Sequence, residues 1–64
     1  MERKLTIDEI KNTARMIDKL RRENNDKGKE AAREFQARMI MCGNTDSESI
    51  RYFNEYSGYT WSDL

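Results

Sequence analysis

Sixty-four residues make at most one domain, and a chain this short buries only about 60% of the surface its unfolded form exposes. A hydrophobic share of 36% against a charged share of 38% is lean for a core, yet too rich in Ile, Met and aromatic residues for simple disorder. One cysteine (Cys42) and no histidine exclude an internal disulfide and the usual zinc ligand sets, which leaves self-association or a bound partner as sources of extra stability.

The first helix is marked by three agreeing signals. Thr6 is a good N-cap, Glu9 completes a capping box with it, and Leu5 and Ile10 are spaced for a hydrophobic staple. At about 100° per residue, Ile7, Ile10, Ala14, Ile17 and Leu20 then fall on one arc, with Thr13 and Met16 at its edges. The pattern predicts a helix over residues 7–24.

Asn24-Asn25-Asp26-Lys27-Gly28 is rich in turn formers and predicts a reversal, hence an antiparallel hairpin; a single helix running through Gly28 is the competing arrangement. The second helix is predicted over residues 29–42, with Ala31, Ala32, Phe35, Met39 and Cys42 on its apolar face and Gly43 as its left-handed stop. Its last turn, Met39-Ile40-Met41-Cys42, is apolar all round, so helix 3 or another chain is expected to cover both sides.

Thr45 with Glu48 reads as a second capping box, predicting a third helix over residues 46–57 that packs across the Met39 to Cys42 end. Gly58 is expected to end it in a Schellman-type turn that folds Tyr59 back toward Phe53. Residues 58–64 form an aromatic tail, too short for a further stable element, that must dock or stay mobile. The fold class is thus all-α: a helical hairpin plus a short third helix, expected to self-associate into a helical bundle.

Catalytic readings fail for want of parts. Without histidine there is no ordinary Ser-His or Cys-His pair, and Cys42 at a helix C-terminus sits where the helix dipole disfavours a thiolate. The carboxylates lie among lysines and arginines at helical spacing, as on solvated faces, and the three glycines are isolated rather than gathered into a phosphate loop. No enzymatic activity, cofactor or metal is expected.

Binding readings rest on two features. Five of the six aromatic residues, Tyr52, Phe53, Tyr56, Tyr59 and Trp61, fall within ten positions. Tyrosine and tryptophan join apolar area to a hydrogen-bonding tip, as binding hot spots do. With Ile40 and Met41, the residues Tyr52, Tyr56, Tyr59 and Trp61 form the candidate protein-binding surface. Residues 43–64 carry 1 basic and 4 acidic side chains, so a partner groove with apolar pockets and a basic rim is the expected counterpart.

The second feature is a ridge of Lys11, Arg15, Lys19 and Arg22 opposite the apolar arc of helix 1, within a segment, residues 1–42, holding 11 basic and 8 acidic side chains. Such a ridge can neutralise phosphates, although Asp8 and Asp18 lie within it. Helix 3, with Asp46, Glu48 and Glu55 against Arg51, carries the wrong charge to enter a DNA groove.

The expected function is therefore a small non-catalytic regulator or inhibitor that occupies a partner protein's surface, in a setting such as a phage or mobile-element accessory role suggested by size alone. A nucleic-acid-binding regulator, or an oligomer that sequesters a small ligand, are the alternatives. No apolar run approaches the roughly 20 residues that span a bilayer, and the opening Met-Glu-Arg-Lys-Leu-Thr lacks the apolar stretch of a secretion signal. No membrane association and a cytoplasmic location are expected.

Overall fold

The computed structural model describes residues 3–64; the opening Met1 and Glu2 lie outside the described residues. The chain folds into three helices, α1 (Ile7–Glu23), α2 (Asn25–Met41) and α3 (Ser47–Ser57), and closes on a short 3-10 turn, Trp61–Asp63. The architecture is all-α, and the hairpin of α1 and α2 forms as expected.

Each helix end has an identifiable cause. The Thr6 box is complete, with the Glu9 amide donating to Thr6 Oγ1 at 3.2 Å and the Thr6 amide to Glu9 Oε1 at 3.0 Å. Arg3 also grips Glu9, at 3.0 Å. The Thr6 amide and the Arg3 guanidinium together hold the Glu9 carboxyl down to about 2. Bonds from the Ser49 hydroxyl and amide lower Asp46 in the same sense.

A carboxyl depressed in the fold stabilises it fully above its ordinary value and ceases to do so as pH falls through the folded value. Stability should therefore decline between pH 4.5 and about 2, and Glu9→Gln should flatten part of that decline. Urea midpoints measured across this range check it.

The reversal between α1 and α2 is tighter than its composition implies. Asn24 alone is extended, and it serves both helices. Its amide donates to Leu20 O at 2.7 Å, while its side-chain oxygen accepts from the Asp26 and Lys27 amides. Helix α2 therefore begins at Asn25, four residues before the predicted start, and Gly28 is not a turn residue. It is buried inside α2, where a Cβ would stand 2.6 Å from the Arg21 Cα and 2.8 Å from the Tyr59 hydroxyl. The glycine permits the close approach of two helix backbones.

Gly43, at φ 79°, ends α2 with both bonds of a Schellman motif, Gly43 N–H to Ile40 O and Asn44 N–H to Met39 O. The cap of α3 is Asp46 instead of Thr45. Its carboxylate accepts from the Ser49 amide at 3.1 Å and the Ser49 hydroxyl at 2.8 Å, so Ser49 takes the place expected for Glu48. Gly58, at φ 81°, ends α3 with a single bond to Asn54 O, without the paired bonds of a Schellman motif, and Tyr59 packs against the core cluster that includes Phe53.

The core is Ile10, Ala14, Ile17, Ala32, Phe35, Met39, Cys42 and Phe53. Helix α3 lies chiefly along α1 and reaches α2 through Phe53, whose ring centroid is 6.2 Å from that of Phe35. Met39, in the last turn of α2, shares the buried cluster with Phe53, while the second side of that turn, with Ile40 and Met41, stays exposed.

Polar pins hold the remaining chain. Buried Asn44 receives the Leu5 amide at 2.8 Å and donates to Leu5 O at 3.1 Å, tying the lead-in of α1 to the link before α3. The tail docks: the Trp61 amide donates to Asn54 Oδ1 at 2.7 Å, Gln36 donates to Trp61 O at 3.0 Å, and the indole meets Phe53 edge-on at 5.6 Å.

Candidate interaction surfaces

The candidate aromatic residues divide into two groups. Tyr59 and Trp61 serve the fold. The Tyr59 hydroxyl lies 2.9 Å from both Asn25 O and Asn25 Oδ1, its ring faces Arg21, and it covers Gly28, so it clamps the junction of α1 and α2. Trp61 fills a slot over Phe53 that nothing local in the sequence discloses.

Tyr52 and Tyr56 remain half-buried on α3, with ring centroids 6.1 Å apart. They meet the first part of the basic ridge. Lys11 Nζ stands 4.7 Å from the Tyr52 centroid and 5.6 Å from that of Tyr56, and the Arg15 guanidinium lies 5.0 Å from Tyr56. Arg51 approaches Tyr52 at 5.0 Å from α3 itself.

The aromatic surface and the basic ridge, separate in the sequence, are thus partly one strip. The rest of the ridge is not in it. Arg22 is held by Asp18 at 3.2 Å, and Lys19 lines a groove elsewhere on α1.

That groove runs between α1 and α2. Thr13, Met16, Ile17, Lys19, Leu20, Glu23 and Ala31 line its apolar end, an open volume of about 480 Å³. Thr13 and Phe35 carry it toward Leu5, Glu9, Asn12 and Arg38, and a side hollow over Ala31, Phe35 and Ala37 reaches Met41. Met16 and Met41 are each 72% exposed and Ile40 54%, three large apolar side chains that the fold leaves in water. Open along its length, the groove is a trough and not an enclosed cavity.

Met16 and Leu20 were legible only as the edge and end of the α1 arc. The signal was the breadth of that arc, which is wider than α2 and α3 cover between them. Among the described residues no three His, Cys, Asp or Glu side chains gather where they could hold a metal ion, and no helix is long and apolar enough to cross a membrane. The Cys42 thiol is buried in the core.

Comparison with known proteins finds no matching family model, no matching curated protein and no matching solved structure.

Proposed function

We propose that this chain is a small protein-binding regulator that contributes no chemistry and acts by holding an amphipathic helix of a partner protein in the groove between α1 and α2. The observation that carries this reading is Met16, 72% exposed at the lip of a groove floored by Ile17, Leu20 and Ala31. Burying such a side chain contributes about 1.5–3 kcal/mol, and a flexible thioether adapts to the shape it meets.

Two antiparallel helices of 17 residues present a trough about 25 Å long, the form that accepts a third helix through its i, i+3, i+4 and i+7 side chains. Charges of both signs rim it, Lys19 and Glu23 at one end and Glu34 and Arg38 at the other, and these favour one orientation of the incoming helix. The same mixed rim suits a second copy related by a two-fold axis, the bundle expected from the sequence.

Met16→Glu places a charge at the lip of the groove, against the incoming helix. It should lower retention of the partner at least tenfold while the far-ultraviolet circular dichroism is unchanged, since Met16 makes no core contact. Sedimentation of the two proteins shows whether the retained partner is another copy. Undiminished retention by the variant contradicts the reading.

A further inference from the structure

The groove leaves the opposite flank of α1 unused, and that flank carries an arrangement of its own. At about 100° per residue, Lys11 and Arg15 point away from Thr13, Met16 and Leu20. They stand with Arg51 around the rings of Tyr52 and Tyr56. The ion pairs among the described residues use Arg3, Lys4, Arg21 and Arg22, and none involves Lys11, Arg15 or Arg51. In a chain whose 12 basic and 12 acidic side chains balance, these three cations share one strip and, among the described residues, form no ion pair.

We propose that Lys11, Arg15 and Arg51, steadied on Tyr52 and Tyr56, form a contact site for the phosphodiester backbone of a nucleic acid. A cation over an aromatic ring is attracted to the ring's negative face on one side only, and its remaining N–H donors stay available to an anion. The rings do part of the work of binding in advance by restricting three long side chains that would otherwise lose rotamer freedom on contact.

Two of the three cations are guanidiniums, whose fork matches two phosphate oxygens at once. The cations also form a line. Arg51 and Lys11 share Tyr52, Lys11 and Arg15 share Tyr56, and a backbone with regularly spaced charges can follow that line. The tyrosine faces are taken by cations, so base stacking has no platform here and recognition is indifferent to sequence. Three acids oppose the site: Glu48, which lines a shallow cleft with Arg51, Glu55 one turn on from Arg51, and Asp8 one turn before Lys11.

The test is fluorescence anisotropy of the intact protein with a labelled oligonucleotide, single-stranded in one arm and duplex in the other. Three phosphate contacts should weaken affinity roughly 20-fold for the single strand and roughly 40-fold for the duplex between 50 and 200 mM salt. The variant carrying Lys11→Gln, Arg15→Gln and Arg51→Gln should lose binding in both arms. Lys27→Gln, Lys29→Gln and Arg33→Gln together, which remove as much charge from α2, should retain it.

Because Lys11 and Arg15 also weld α3 to α1, the single change Arg51→Gln gives a readout that does not depend on that weld. It should reduce the salt exponent by about one third. Absence of binding at the lower salt, a salt-independent affinity, or equal loss in the α2 variant overturns the proposal. Poly-glutamate bound as tightly as the oligonucleotide overturns it too, assigning the strip to an acidic protein surface.

Discussion

Phe53→Ala is expected to remove a large share of the protein's stability and to lower its melting temperature steeply. The ring is fully buried where the three helices and the tail converge, against Phe35 at 6.2 Å and the edge of Trp61 at 5.6 Å. Truncating a buried phenylalanine costs about 3–5 kcal/mol, part of it from the cavity left behind. A domain of 64 residues has a total stability of roughly 3–10 kcal/mol, so one substitution removes a large share of it. The tail should loosen with the core, because Phe53 is the aromatic contact of Trp61 among the described residues. Thermal circular dichroism measures the first effect, and indole fluorescence moving to the red measures the second. A melting temperature within a few degrees of the parent would show that α3 and the tail are not held as described.

Gly28→Ala is expected to destabilise, against the direction that helix propensity gives. On propensity alone an alanine inside α2 should stabilise by about 1 kcal/mol. The added methyl, however, would meet the Arg21 Cα at 2.6 Å, the Arg21 amide nitrogen at 2.8 Å and the Tyr59 hydroxyl at 2.8 Å. Two of these are backbone atoms and cannot rotate away. Relief requires α1 and α2 to separate or Tyr59 to release Asn25, and overpacking of this kind costs about 1–3 kcal/mol. The net change should be a lower urea midpoint. A raised midpoint would mean that the helices do not approach so closely.

What was legible in the sequence was what local chemistry decides. Thr6 with Glu9, and Gly43 and Gly58 at their left-handed positions, each act within a few residues, and each end stands where the pattern put it. Gly28 was misread because glycine serves two purposes with one composition. A positive φ and a close backbone approach look alike until the partner, Arg21, is known.

Asp46 and Thr45 are adjacent capping residues, and the choice went to the carboxylate that Ser49 could bond twice. The long-range pins were hidden altogether. Nothing near Asn44 in the sequence discloses that it closes on Leu5, and nothing near Gln36 or Asn54 discloses Trp61. The strip joining Lys11 and Arg15 to Tyr52 and Tyr56 likewise depends on how α3 registers against α1, a tertiary fact. The sequence supplied its members as two competing surfaces.

The groove follows the same logic. Ile40 and Met41 stood out as apolar residues facing away from the core, and they are exposed, but a second opening of similar size lies at Met16 and Leu20. The apolar arc on α1 is broader than α2 and α3 together cover, and its edge at Met16 is left in water.

The most direct test of the protein-binding account uses the methionines as reporters. Methyl-labelled methionine NMR spectra, titrated with the captured partner, should show the Met16 and Met41 signals shifting and broadening while that of Met39, fully buried in the core, stays in place. A bound partner that leaves Met16 and Met41 unmoved would contradict the account.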